Sequence, residues 1–141
     1  YGAVLINANL WGADMTNTNL RFANLTDANL AYVDLTDASL NAADLTDAYL
    51  LLADLTNTDL RNANLTDAYF SQADLTNTDL YNANLTDADL RYADLTNAYL
   101  YNADLTNADF TSATVTNAVF TYTTWSNTIW IDGIAYDTNQ A

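Results

Sequence analysis

In residues 83–100, ANLTDADLRYADLTNAYL, leucine stands at 85, 90, 95 and 100. A spacing of five fits neither the 3.6-residue period of a helix nor the two-residue period of a strand. The beat runs along the chain. Every position divisible by five from 5 to 120 is apolar, Leu except at Met15, Phe70, Phe110, Val115 and Phe120, and Trp125 and Trp130 continue it. Two residues before each beat up to 120 stands a small side chain, Ala except at Thr18, Val33, Thr58 and Thr78. Asp or Asn mostly lies between, so the unit reads A-[DN]-L-x-x in unbroken register. A sustained internal period decides the fold before any other feature does.

A second period doubles the first: Thr follows the apolar residue in every other unit, from Thr16 to Thr116, and Ser126 ends the series. A third period is twenty residues. Asn17, Asn57, Asn77, Asn97 and Asn117 share one phase, Asp27, Asp47, Asp67 and Asp87 another, and Arg21 with Arg61 and Tyr49 with Tyr69 share theirs. Like residues stack one coil apart in a solenoid, so this phase predicts four units per coil, a corner every five residues, and the Leu and Ala side chains turned to the axis. At the strand spacing of about 4.8 Å, about six coils make a rod roughly 29 Å long. Each buried Leu supplies about 1.5–3 kcal/mol before ordering entropy is subtracted. The core is one-dimensional, each coil touching only its neighbours.

Over residues 3–120 the unit resembles the pentapeptide-repeat family. The resemblance implies an all-β fold, a right-handed quadrilateral parallel β-helix with four pentapeptides per coil. The residue at each multiple of five and the small residue two before it would point inward, and the other three would face solvent. The solenoid is expected over 1–122 and a capping segment over 123–141, where TYTTWSNTIWIDGIAYDTNQA (121–141) breaks the pattern. Asp132-Gly133 reads as a turn. Trp125, Trp130, Ile131, Ile134 and Tyr136 are expected to cover the apolar end of the last coil, as solenoids require. This tail is similar to those of exported and lumenal bacterial, notably cyanobacterial, members, and Trp130 and Ile131 stand where the family often has Cys-Pro. The near-identity of the units is equally the mark of a consensus-style designed repeat protein.

Composition narrows the function. The net charge is −15, from 18 Asp against Arg21, Arg61 and Arg91, which argues against binding nucleic acid or anionic membrane through a basic surface. No segment approaches the roughly 18 uninterrupted apolar residues of a membrane span. The chain does not begin with Met and reads as a mature product, a trimmed form or a segment of something longer. His, Cys, Lys, Glu and Pro are absent, so the usual bases, thiol nucleophiles and zinc ligands are missing and no disulfide can form. We therefore expect no enzyme, no cofactor and no metal centre. The NLT sequons at Asn24, Asn64 and Asn84 recur because the repeat recurs.

Three surface features remain. Asp14, Asp34, Asp54, Asp74 and Asp94 share a phase and should form an acidic column, either accepting turn N–H groups or offering clustered oxygens to hard cations. Thr16, Thr36, Thr56, Thr76, Thr96 and Thr116 should form a Thr ladder beside the Asn column. Around AYLLLADL (48–55), the phases bring Trp11, Tyr32, Tyr49, Leu51, Leu52 and Tyr69 to one side near the N-terminal end, a patch of the kind that marks an interface. The first reading is a non-enzymatic scaffold or protein-binding module. Its expected partner is itself, through this patch or the edge of the first coil, with another protein as the alternative. A second reading follows from the resemblance: some family members that protect type II topoisomerases resemble B-DNA in width and charge, which would make this acidic rod a DNA mimic that binds gyrase. It departs from them in its rarity of inward Phe, its unbroken coils and its lack of a helical dimerisation tail. A third is ice binding through the Thr/Asn strip.

Overall fold

The computed structural model describes residues 2–136. Tyr1 and residues 137–141 of the expected cap lie outside the described residues. Among the described residues, short parallel bridges pair each position with the one twenty residues on, from Val4↔Asn24 to Asp109↔Ile129. The chain is thus a quadrilateral parallel β-helix with four pentapeptides per coil. Its four faces are defined by the bridging residues: the first by Asn24 and Asp44, the second by Tyr49 and Tyr69, the third by Asp54 and Asp74, the fourth by Asp59 and Asp79.

Each corner is a tight turn. In Leu65-Thr66-Asp67-Ala68 the Ala68 N–H donates to the Leu65 carbonyl at 3.1 Å, and Asp67 has φ 56°. Positive φ at the third residue alone is the type II pattern. Asn and Asp tolerate this left-handed conformation better than other non-glycine residues. That accounts for Asx at every such corner following Thr, as at Asn17, Asp27, Asp37 and Asp47.

Between corners the backbone N–H groups alternate in direction. Leu65 donates to the Asn84 carbonyl of the next coil at 2.7 Å, and Asn64 donates to the Ala43 carbonyl of the previous coil at 2.9 Å. The inward Leu and Ala are buried along the middle of the rod. Where Thr replaces Ala, its hydroxyl is satisfied inside: Thr58 and Thr78 donate to the Leu35 and Leu55 carbonyls at 2.8 and 2.9 Å. The small side chain is required because the coil is narrow and its width is filled by Leu.

Two expectations are corrected. Outward positions do not all face solvent: Ala31 and Ser71 are buried, short side chains in a column that includes Trp11, Leu51 and Arg91. In the C-terminal segment, Trp125 and Trp130 are buried, but Ile131 and Ile134 are exposed. The tryptophans continue the inward five-residue beat; Ile131 falls on an outward phase, and Ile134 follows the reversal that ends the beat. The cover is an aromatic cluster, with Trp125 and Trp130 centroids 4.9 Å apart and Phe120 5.2 Å from Trp130. A hairpin of β1 (Thr128–Ile129) and β2 (Ala135–Tyr136) follows, turned at Asp132-Gly133, where Gly133 has φ 77°.

Candidate functional site

The acidic column is assembled on the third face, where bridges link Asp14 to Asp34, Asp34 to Asp54, Asp54 to Asp74 and Asp74 to Asp94. Each carboxylate also accepts the backbone N–H two residues on, as from Thr56 to Asp54 and Thr96 to Asp94 at 2.9 and 2.8 Å. These bonds brace the corner. At Asp14 the Thr16 backbone N–H, and then its hydroxyl, hold the carboxyl below its ordinary pKa. Among the described residues no group of three His, Cys, Asp or Glu is placed to hold a metal ion.

The Thr ladder occupies the next corner. Its hydroxyls are partly engaged: Thr16 and Thr96 donate to Asp14 and Asp94. Thr36, Thr56 and Thr76 are half-buried there and Thr116 is exposed. Beside them runs an amide ladder, Asn117 to Asn97 to Asn77 to Asn57 to Asp37, each amide donating one coil back at 3.0–3.2 Å.

The six apolar candidates share the second face and the corner after it. Trp11 and Tyr32 have ring centroids 5.6 Å apart, and Tyr49 stacks on Tyr69 at 4.9 Å. Trp11 is 62% exposed, Tyr32 50% and Leu52 41%, while Leu51 is half-buried. Tyr32 and Leu52 occupy the left-handed corner position, at φ 59° and 55°. For such residues this backbone is an outlier costing about 1–2 kcal/mol relative to ordinary conformations.

A second aromatic cluster was missed in the sequence. Tyr101 stacks on Tyr81 and Tyr99 at 5.8 and 5.9 Å and meets Tyr122 edge-on at 5.1 Å. Burial among these rings raises the Tyr101 pKa, and the neighbouring phenols add to the effect. The twenty-residue spacing of Tyr81 and Tyr101 was the available signal; Tyr99 and Tyr122 join from adjacent phases.

The arginines are placed as selectively. Arg61 clamps Asp59 with two bonds of 2.8 and 2.7 Å and lies 3.6 Å from Asp79. Arg91 repeats this on Asp89, at 2.8 and 2.6 Å, and lies 4.0 Å from Asp109. Arg61 lowers the Asp59 pKa, chiefly through the side-chain hydrogen bonds.

Comparison with known proteins agrees with this architecture. HetL, a pentapeptide repeat protein involved in heterocyst differentiation regulation from the cyanobacterium Nostoc sp. strain PCC 7120, is 32% identical. The match covers 96% of this chain and 67% of HetL with a TM-score of 0.62. A pentapeptide repeat protein of the Arabidopsis thaliana thylakoid lumen is 31% identical over 69% of this chain and 68% of its own, with a TM-score of 0.67. Another from Nostoc PCC 7120 is 33% identical over 62% and 70%, with a TM-score of 0.58. No curated protein sequence matches. The family model for pentapeptide repeats matches in eight copies, over residues 1–21, 23–62, 53–91, 63–100 and 83–121. The coil observed here is that family's right-handed quadrilateral β-helix, and the chain belongs to the pentapeptide repeat family.

Proposed function

We propose that this protein is a non-enzymatic scaffold that binds protein through its outer surface, and that the Trp11–Leu52 side is a self-association surface. The observation that supports this most directly is Leu52. It is an exposed aliphatic residue in the left-handed conformation, which aliphatic side chains rarely adopt. Tyr32, one coil earlier, and Tyr92, two coils later, hold the same position and conformation. Backbone strain at an exposed, uncharged position is a reason to look for function there. Trp and Tyr are also the residues that dominate interface centres. The test is sedimentation of the wild type against Leu51→Asp/Leu52→Asp. Concentration-dependent association lost in the variant supports the surface; a monomer at all concentrations, or an unchanged variant, overturns it.

Charge density favours a second reading, the acidic DNA mimic. A net charge of −15 on a rod of about 30 Å is one charge per roughly 2 Å, beside about one per 1.7 Å for B-DNA. The carboxylates of the third face, which no arginine pairs, are its proposed contact. Inhibition of gyrase supercoiling, relieved by Asp54→Asn/Asp74→Asn/Asp94→Asn, is the expected result; no inhibition by the wild type ends this reading.

A further inference from the structure

The Tyr81–Tyr101–Tyr122 cluster lies diametrically across the rod from the Trp11–Leu52 side. Tyr49 and Tyr99 stand on the second and fourth faces, half a coil apart in phase, and each patch extends from its face around the corner that follows. We propose that a second copy of this chain covers the tyrosine cluster. The Trp11–Leu52 side of one rod seats on the Tyr81–Tyr122 side of the next. This rests on the reading of the Trp11–Leu52 side as a self-association surface and adds what it binds.

Charge selects these two sides. A chain of net charge −15 repels its own copies over most of its surface. Its carboxylates are sorted, however. The third face and the corner carrying Asp27, Asp47, Asp67 and Asp87 hold Asp without any arginine beside it. Among the described residues, the only carboxylates on the second and fourth faces are Asp89, Asp109, Asp59 and Asp79. Each of these lies within 4.0 Å of Arg91 or Arg61. Arg91 borders the first patch and Arg61 the second, each shared between two carboxylates, so each side carries one net negative charge from these groups where the third face carries a full column of unpaired Asp.

Chemistry and spacing fit as well. On the first patch, Asn9 and Asn29 accept the Trp11 and Ala31 backbone N–H groups through their side-chain oxygens. Their NH₂ groups are left to donate outward, and the second patch offers tyrosine rings with hydroxyl acceptors. Tyr122 holds the left-handed corner position on the second patch, at φ 61°, as Tyr32 and Leu52 do on the first. Both surfaces repeat once per coil, so two rods laid side by side match tooth for tooth over successive coils. With the second face laid on the fourth, bringing the two corners together as well requires neighbouring rods to run antiparallel. Because the two patches differ, the contact is heterologous and leaves a free patch at each end, so it propagates instead of closing.

Mixing of two singly blocked variants tests this. Leu51→Asp/Leu52→Asp blocks the first side and Tyr81→Asp/Tyr101→Asp the second, with far-UV circular dichroism and melting to confirm folding. Should the tyrosine variant lose cooperative melting, Tyr81→Ser/Tyr101→Ser replaces it. In sedimentation velocity the wild type should grow beyond a dimer with concentration. Each variant alone should be monomeric, and their equimolar mixture should form a dimer that grows no further. If the tyrosine variant associates like the wild type while the leucine variant does not, the contact is between like patches. The heterologous pairing is then overturned, and the self-association reading stands. A wild type that stays monomeric overturns both.

Discussion

Asn77 donates its side-chain amide to the side-chain oxygen of Asn57, one full coil earlier, at 3.1 Å. In the corner diagonally across the rod, the equivalent left-handed positions Asp27, Asp47, Asp67 and Asp87 carry acids, which at neutral pH can only accept. Stacked unit charges at about 5 Å repel by roughly 1 kcal/mol in water. The rod thus contains two chemically opposite versions of one structural position.

Asp67→Asn should therefore stabilise the protein. The new amide would reach back to Asp47 as the Asn57 amide reaches Asp37 at 3.0 Å, and one repulsive charge disappears. The expected gain is about 0.5–1.5 kcal/mol, smaller at high salt. Thermal denaturation at two ionic strengths checks it. Asn77→Asp should lose a similar amount.

The inward and outward positions should differ sharply in cost. Leu65 is fully buried, so Leu65→Ala should cost about 2–5 kcal/mol through the cavity it leaves. The neighbouring Thr66 hydroxyl donates to Asn64 at 2.7 Å and accepts from Asn84 at 2.9 Å. Thr66→Ala should cost about 1 kcal/mol. Equal shifts in the denaturation midpoint would contradict the assignment.

How much was legible follows from what each signal encodes. The five-residue beat fixed Leu65 inward, and the twenty-residue phase fixed the Asp54–Asp74 and Tyr49–Tyr69 neighbours, because a solenoid turns sequence spacing directly into distance. The burial of Ala31 and Ser71 was not legible, since it depends on the length of side chains one coil away. Ile131 was misplaced because hydrophobicity was read without phase, and Ile134 because it lies beyond the hairpin turn, where the five-residue beat has ended. The tyrosine cluster was missed because its members come from three phases that meet only where the corner brings them together.

Acid should weaken the rod through Asp59. Its folded-state pKa lies below the ordinary value near 3.8 because Arg61 hydrogen-bonds the carboxylate. The folded state then binds fewer protons than the unfolded one in that window, so stability falls as pH falls. The contribution is fully present above the unfolded pKa and is lost as pH drops through the folded one. Replacing Asp59 by Asn should flatten this part of the stability profile between about pH 4 and pH 2. Urea midpoints of both proteins across that range would show it, and identical slopes would contradict it.

Leu52→Asn separates folding from binding. Leucine at φ 55° bears a left-handed cost of about 1–2 kcal/mol that asparagine largely avoids. The core is untouched, since the side chain points outward beside the buried Ala53. The variant should therefore melt higher by the equivalent of about 0.5–1 kcal/mol. If the Trp11–Leu52 side is a contact surface, the same substitution removes an exposed apolar side chain from its middle and should shift association to higher protein concentration. Opposite signs in the two measurements, a raised melting temperature with weakened association, are the expected result. Higher stability with association unchanged would show that leucine here serves neither the fold nor the contact, and lower stability would show that Leu52 packs more tightly than its exposure implies.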